Sequence, residues 1–277
     1  MSFLNTLLAT GISLLFLAFV FVPIEKAYPA NAKQKILRPK WFLDLCYFFG
    51  QYLFWSSLVL KTLNYFGLWL DENISFALRH SIAEQPFWLQ AIEVILLSDF
   101  LIYWAHRLQH KIDFLWRFHK VHHTAETLDW LAAHREHPLD SIYTVGIINL
   151  PALILGFDLN TITLLVAFRG IWAIYIHSNV RLNIGVIKKV IGSPDLHHWH
   201  HDKERDRGNY ANISPIMDIL FGTYVCPDHE PEQFGINEHF SSTYIGQMLQ
   251  PILPDKIWRI IEGKTNSLNV TRNKITD

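Results

Sequence analysis

Residues 106–123 read HRLQHKIDFLWRFHKVHH and contain five histidines in two short groups. The first group has two histidines four residues apart, and the second follows the spacing i, i+3, i+4. Side chains at these spacings lie on one face of a helix, so their imidazoles can converge on a metal ion. The i, i+3, i+4 spacing recurs in LHHWHHD, residues 196–202. The histidines in these groups are His106, His110, His119, His122, His123, His197, His200 and His201.

The histidines are concentrated rather than dispersed along the chain. Of the 15 in the whole sequence, seven fall within residues 106–137 and four within 197–201. Neutral imidazole suits iron, copper, nickel and zinc, and these histidines outnumber the ligands of one tetrahedral zinc. We therefore predict two metal ions in one site. The alternative is a surface that is rich in histidine and binds no metal.

The composition is that of a membrane protein. Hydrophobic residues make up 50% of the 277, and the mean hydropathy is +0.14, which separates the chain from ordinary soluble proteins. The net charge of −1 gives no indication of nucleic-acid binding. The two cysteines, Cys46 and Cys226, lack the spacing of a zinc site. We therefore expect metal ligation by nitrogen, with oxygen as the only other donor.

The apolar runs predict an all-α fold: a transmembrane bundle of four to five spans with a cytosolic helical cap that carries the histidines. The loop over residues 24–40 has five cations against one acid, which the positive-inside rule places in the cytoplasm. Counting crossings from this loop puts every histidine group on the cytoplasmic side. The predicted spans cover residues 3–23, 42–60, 87–105, 139–157 and 159–176, the last two joined by the turn GFDLN.

Three parts follow from this pattern. Residues 1–86 are predicted to form an N-terminal transmembrane anchor, and residues 87–226 the domain that carries the histidine groups. Residues 227–277 are predicted to be a cytosolic C-terminal segment, in which PILPDKIWRII forms an amphipathic surface helix and a polar tail follows Gly263.

An acid inside the third apolar run is a candidate functional residue, because ionisable groups at membrane depth face the protein interior. Asp99 begins a stripe on one helix face, in steps of four, three and four residues. It could accept a hydrogen bond from a liganding imidazole and fix the tautomer of that ring. The alternative is a structural ion pair with Arg107 or Arg169. The stripe consists of Asp99, Tyr103, His106 and His110.

Two further histidines stand at the ends of predicted spans. His137 precedes Pro138, and proline suits the first turn of a helix, so His137 is predicted to cap the fourth span. His177 follows the fifth apolar run and returns to the side of the other histidine groups.

In combination, these motifs resemble those of the fatty acid hydroxylase superfamily, also called the sterol desaturase family. The chain has His-x-x-x-His at 106–110 and His-x-x-His-His at 119–123 and 197–201, with no Glu-x-x-His pattern of the soluble di-iron proteins. The resemblance covers roughly residues 95–226 and includes the closing segment GNYANISPIMDILFGTY. It implies a four-helix membrane anchor under a cytosolic cap and a non-haem di-iron centre.

The resemblance also implies site residues and a reaction. The eight histidines of the three motifs match the ligands of the family, and His137 and His177 match further family histidines. His134 and His198 are expected to support the ligands, and Asp99 and Tyr103 are our catalytic candidates. The implied reaction is O₂-dependent hydroxylation or desaturation of a lipid of sterol, fatty acyl or alkyl-glycerol type.

Further expectations concern partners and cofactors. We expect electrons from a separate reductase or from a haem or iron–sulfur carrier, and a location in a bacterial inner membrane or the endoplasmic reticulum. Zinc is the expected competitor in purified samples, because histidine sites bind it at least as well as ferrous iron. Four aromatic residues either line a lipid route or anchor the chain at the membrane interface. They are Tyr103, Trp104, Trp130 and Trp199.

Two other classes of function compete with the oxygenase. A metal transporter or a metal-buffering membrane protein would also cluster histidines and intramembrane acids. A zinc hydrolase would need an open zinc site and a carboxylate base, and the sequence has no His-Glu-x-x-His motif.

Overall fold

The computed structural model describes residues 3–74, 76–157 and 159–263, and its regular elements are helices. The chain divides into two compact units, Met1–Asn237 and Glu238–Asp277. The predicted all-α fold is confirmed. In the described residues the α-helices are α1 (Phe3–Ala27), α2 (Trp41–Gly50), α3 (Ser56–Asn73), α4 (Phe76–Ala83), α5 (Phe87–Lys111), α6 (Asp113–His123), α7 (Pro138–Leu155), α8 (Leu159–His177), α9 (Pro194–His200), α10 (Ile216–Leu220) and α11 (Tyr244–Leu249).

Among the described residues, four helical stretches are long and apolar enough to cross a membrane, which makes this a multi-pass membrane protein. They are Phe3–Ala27, Trp41–Asn73, Phe87–Lys111 and Pro138–Leu155. At about 1.5 Å per residue the shortest of them is about 27 Å long, close to the thickness of a hydrocarbon core. The predicted fifth span, 159–176, forms helix α8.

The second and third spans are longer than their apolar runs. A π-helical turn, Gln51–Trp55, joins α2 to α3, and Ser56 Oγ donates to the carbonyl of Gln51 there. Helix α5 continues beyond the predicted end at residue 105, through His106 and His110, to Lys111. One continuous helix therefore carries the first histidine motif from the membrane into the metal-binding region.

The start of α7 confirms a predicted cap. His137 is the N-cap residue, Pro138 occupies the first helical turn, and the Leu139 backbone N–H donates to His137 Nδ1 over 3.1 Å. At the other end, Gly156 has φ 77°, a conformation that glycine adopts without strain. Residue 158 of the predicted turn GFDLN lies outside the described residues. The predicted polar tail, which begins at residue 264, lies outside them as well.

A buried ionic network ties the second span to the segment between α6 and α7. Arg38 contacts Asp44 over 2.7 Å and Asp129 over 2.7 Å, and Arg135 Nε donates to Asp44 over 2.6 Å. Asp129 also accepts the backbone N–H of Ala132 at 2.9 Å. Loss of any one partner would be strongly destabilising, because it would leave the other charge buried and unpaired.

An apolar cluster lies beside this network and contains Leu17 and Phe21 of α1, Phe48 of α2 and Ile174 of α8. The second compact unit, Glu238–Asp277, is the smaller one. Its helix α11 is capped by Thr243, whose hydroxyl accepts the backbone N–H of Gly246 over 3.1 Å. Residues 255–263 are helical, as predicted for PILPDKIWRII.

Candidate metal centre

Nine histidines gather into two clusters, each of which could hold a metal ion. Within each cluster the nearest ring nitrogens all lie within 4.8 Å of one another. Seven of the nine side chains are buried and the other two are half-buried. The first cluster consists of His106, His110, His119, His123 and His200, and the second of His122, His177, His197 and His201.

The two clusters interleave, because each His-x-x-His-His motif contributes to both. From α6, the i and i+4 residues His119 and His123 enter the first cluster, whereas His122 enters the second. The motif at α9 is reversed, since its i and i+4 residues enter the second cluster and His200 enters the first. Residues i+3 and i+4 of a helix point about 100° apart, so neighbouring histidines face different centres. The clusters are therefore adjacent, and the rings of His123 and His201 are 4.4 Å apart.

The remaining ligands arrive from the ends of two long helices. Helix α5 supplies His106 and His110 from its last two turns, and α8 ends at His177. Rings from both helices meet the α6 histidines: Nε2 of His106 lies 3.0 Å from Nε2 of His119, and Nε2 of His177 lies 2.8 Å from Nε2 of His122.

Most of these rings are fixed through Nδ1. A carbonyl can only accept a hydrogen bond, so an imidazole bonded to one through Nδ1 carries its proton there and presents the Nε2 lone pair. His119 Nδ1 instead meets Asp140 Oδ2 at 2.9 Å. The carbonyl acceptors are Tyr210 for His106, Arg205 for His110, Arg135 for His122, Ala173 for His177 and Gly208 for His200.

The donor set fits a metal in each cluster. His122 and His177 both donate through Nδ1 to carbonyls, so their Nε2 lone pairs face each other across 2.8 Å. Such a contact is repulsive unless a cation lies between the rings. Nε2 of His110 and of His200 are buried and have no hydrogen-bond partner among the described residues. Both facts indicate sites built for cations.

Burial keeps these imidazoles in the neutral form that binds metals. Desolvation lowers the pKa of His119 to about 3, and desolvation together with the nearby His119 lowers the pKa of His122 to about 3. The pKa values of His200 and His201 are lowered in the same direction by burial. At physiological pH protons therefore compete weakly with a metal for these sites.

Three histidines of the same regions lie in neither cluster. His137, a predicted ligand, accepts the backbone N–H of Leu139 through Nδ1 at the start of α7, and it belongs to neither cluster. His134 packs against Phe48, with ring centroids 4.7 Å apart. His198 contacts Glu230 over 2.5 Å and the carbonyl of Ser178 over 3.0 Å.

The two catalytic candidates also lie outside the clusters. Asp99 accepts from Arg169 Nη1 at 3.4 Å and from the Ser214 backbone N–H at 3.0 Å, so the geometry matches the structural ion pair and not the imidazole contact. Asp99 lies seven residues, about two helical turns, before His106 on α5. The Tyr103 hydroxyl lies 3.1 Å from Thr223 Oγ1 and accepts from Arg107 at 3.0 Å.

Sequence reasoning missed the residues that support the ligands. Asp140 is the carboxylate at His119, and Gln109 Nε2 donates to its other oxygen at 2.6 Å. The ring of Tyr210 lies 5.2 Å from that of His110, and the ring of Trp116 lies 5.0 Å from it. An acid in the first turn of a predicted span was a usable signal for Asp140. The carbonyl acceptors carry no residue-type signal.

Comparisons with known proteins agree with this geometry. A family model described as fatty acid hydroxylase matches residues 91–223. An ornithine lipid hydroxylase of Rhizobium tropici is 31% identical over 170 residues, which cover 59% of this chain and 51% of that protein. The human alkylglycerol monooxygenase is 33% identical over 141 residues, 50% of this chain and 31% of that protein.

A putative Delta(7)-sterol-C5(6)-desaturase of Arabidopsis thaliana is 31% identical over 144 residues, 50% of each chain. The matched region spans about half of these curated relatives or less. No solved structure matches the chain. The matched residues 91–223 form a fatty acid hydroxylase domain, and this domain contains every histidine of both clusters.

Proposed function

We propose that this chain is a membrane-bound, non-haem di-iron oxygenase that hydroxylates or desaturates a lipid with O₂ and external electrons. The observation that carries the proposal is the pair of adjacent all-nitrogen clusters, one of five imidazoles and one of four. Two redox metals side by side can share the electrons that O₂ activation requires. The buried position of most ligands argues against a transporter, which must release its ion.

The first cluster would hold one iron and the second cluster the other. Bound iron would supply the redox chemistry that turns O₂ into an oxidant strong enough to break an unactivated C–H bond. The protein supplies fixed ligand directions through the Nδ1 contacts, and it keeps the imidazoles neutral by burial. A dry site also prevents loss of the oxidant to side reactions.

The reaction balances with an external donor. In hydroxylation one oxygen atom enters the C–H bond and the other leaves as water, with two electrons and two protons taken from outside. Desaturation removes two hydrogens from the lipid and uses the same donor to complete the reduction of O₂ to water. A separate redox protein would supply the electrons.

A membrane lipid is the substrate class that fits a metal centre joined directly to the spans. Helix α5 crosses the membrane and continues into the first cluster, so an acyl or alkyl chain could approach along it. Trp104 lies on this helix two residues before His106 and packs against Phe221, with ring centroids 4.8 Å apart. The relatives are named for an ornithine lipid, an alkylglycerol and a sterol, which supports the lipid class.

We propose that the metal centre faces the cytoplasm, in a bacterial inner membrane or the endoplasmic reticulum. Support comes from the cationic loop over residues 24–40, which the positive-inside rule assigns to that side.

The test combines lipid profiling with isotopic oxygen. Cells that express the full chain would be grown under ¹⁸O₂, and their lipids compared with those of cells that express His200→Ala. We expect an ¹⁸O-labelled or newly unsaturated lipid only with the unaltered chain. An unchanged lipid profile, with zinc and no iron in protein purified from the same membranes, would overturn the proposal.

A further inference from the structure

Two segments of the histidine-bearing region expose large apolar side chains. Residues 186–191 cover most of the 3₁₀ helix Gly185–Lys189 and the two residues after it, and residues 216–221 cover α10 and the residue after it. We call them together the apolar lip. Val186 is 78% exposed and Leu220 is 68% exposed, values that are unusual for large apolar side chains grouped on a water-facing surface. The exposed members are Val186, Ile187, Val190, Ile191, Ile216, Ile219, Leu220 and Phe221.

The two segments are held against each other. The backbone N–H of Gly192 donates to the carbonyl of Ile213 over 2.7 Å. A Cβ on Gly192 would lie 2.6 Å from the carbonyl oxygen of Asn212, so this close approach requires glycine. The end of the first segment is therefore fixed to the chain that leads into the second.

The chain that leads into the second segment of the lip contacts the membrane-spanning part of α5. The backbone N–H of Ser214 donates to Asp99 Oδ2 over 3.0 Å, and Asp99 lies seven residues before His106 on α5. At the helical rise this is about 10 Å along the axis, towards the middle of the span. Irregular backbone at membrane depth needs partners from the protein, and Asp99 provides one. This contact, together with Arg169, accounts for an acid inside an apolar helix.

The lip is continuous with the surfaces that face lipid. The Phe221 ring lies 5.2 Å from the ring of Tyr103 and 4.8 Å from that of Trp104. One turn earlier on α5, Phe100 is exposed. On the other flank, Gly192 lies beside Trp172 of α8, which is next to the exposed Ile171. Aromatic side chains thus connect the lip to the membrane-spanning helix α5, with Arg107 beside Tyr103 and Trp104 as the charged group at this junction, and α8 lies on the other flank.

The charges on the lip suit an interface between hydrocarbon and headgroups. Lys188 and Lys189 lie between the apolar residues of the first segment, and Lys188 Nζ is 3.6 Å from a carboxylate oxygen of Asp195. Lysine stems can lie along apolar surface while their ammonium groups reach phosphate oxygens. Alternating apolar and basic residues are typical of segments that rest in the interfacial layer.

We propose that the apolar lip is a membrane-seated surface, with its apolar side chains in the leaflet next to the metal clusters and its lysines among the lipid phosphates. The lip also connects to the first cluster. Asp218 of α10 accepts the backbone N–H of Tyr210 over 2.8 Å, and the carbonyl of Tyr210 accepts from His106 over 2.8 Å. Lipid contact at the lip would therefore stabilise the position of Asp218 and, through Tyr210, that of the proposed ligand His106.

The test measures the depth of single labelled positions. Cys46 and Cys226 are replaced by serine, and one cysteine is introduced at Val186, Leu220 or, as the control, the exposed Glu232 in a polar stretch. Each full-length variant carries an environment-sensitive fluorophore in nanodiscs of phosphatidylcholine and phosphatidylglycerol. Quenching is compared between doxyl-labelled lipids and aqueous iodide. The readout requires neither metal nor turnover, so it is independent of the proposed oxygenase activity.

We expect doxyl lipids to quench the labels at residues 186 and 220 at least about twofold more than the label at 232, and iodide to show the reverse order. Quenching of residues 186 and 220 by iodide alone would overturn the proposal. Shielding from both quenchers would overturn it too, because another protein surface would then cover the lip.

Discussion

At the residue scale, the direction of each ring matters more than the number of histidines. The clusters depend on Nδ1 contacts that leave Nε2 directed inwards, and three of the carbonyl acceptors belong to Gly208, Arg205 and Tyr210, one short loop. The spacing of the motifs predicted eight of the nine gathered histidines, and His177 followed from the resemblance. Backbone acceptors have no residue-type signature, so the sequence could not predict them. It also could not show that His137 turns to the start of α7.

Removal of a clustered histidine should have a much larger effect than removal of its neighbour. His200→Ala should lower lipid oxidation by at least about 100-fold, because it removes a nitrogen from the first cluster. His198→Ala is the matched control, since His198 is buried on the same helix but contacts Glu230 instead. Product formation by both variants at equal membrane levels would be compared. Equal losses would contradict the assignment of His200.

Asp140, whose carboxylate contacts His119, should raise the metal affinity of the first cluster. Asp140→Asn keeps the shape of the side chain and removes the charged acceptor of the His119 Nδ1 proton. Loss of such a contact lowers metal affinity or activity by about 10–100-fold. Metal titration of the purified variant would measure it. Asp113→Asn is the control, because Asp113 is an exposed partner of Arg205 on the same helix as His119; an equal effect of both changes would remove this role of Asp140.

At the element scale, helix ends and one buried network position the ligands. The apolar run predicted the start of α5 at residue 87. The helix continues six residues past the predicted end at residue 105, and these residues include His106 and His110, whose rings lie in the first cluster. The network of Arg38, Asp44 and Arg135 joins residues 91 apart in sequence. Single charges in a sequence do not reveal such partners, so this link could not be predicted.

The network should carry a large share of the stability near the second cluster. Asp44→Ala removes the buried carboxylate that pairs with Arg135 and leaves Arg38 with Asp129 alone, and we expect a loss of about 3–5 kcal/mol in the free energy of unfolding. Lys40→Ala breaks an exposed pair with Glu126 and should cost about 1 kcal/mol or less. Thermal unfolding in the same detergent would compare them. A similar small effect of both substitutions would contradict the structural importance of the network.

At the scale of the whole molecule, the spans decide where the chemistry takes place. Of the five spans that hydropathy predicted, four coincide with the stretches of the described residues that are long and apolar enough to cross a membrane, because length and apolar content are local properties. The packing of the helices depends on tertiary contacts, and so does the way in which two distant motifs interleave into adjacent clusters. The spacing of residues along the sequence does not reveal these contacts. The side of the membrane remains a prediction from the charges of residues 24–40.

Labelling from one side of the membrane tests that orientation. In a background without Cys46 and Cys226, a membrane-impermeant maleimide should label Lys33→Cys only from the cytoplasmic side and Glu72→Cys only from the opposite side. Both residues are exposed. Labelling of both positions from one side would contradict the crossing count, and a reversed pattern would move the metal centre to the other face.

The iron content of the purified full chain and of two single-cluster variants tests the two-metal centre. We expect two iron ions per chain, and one in each of His110→Ala and His177→Ala, because each substitution removes a nitrogen from only one cluster. A chain that holds a single metal ion after purification with iron in excess, or variants that keep both ions, would contradict a two-metal centre.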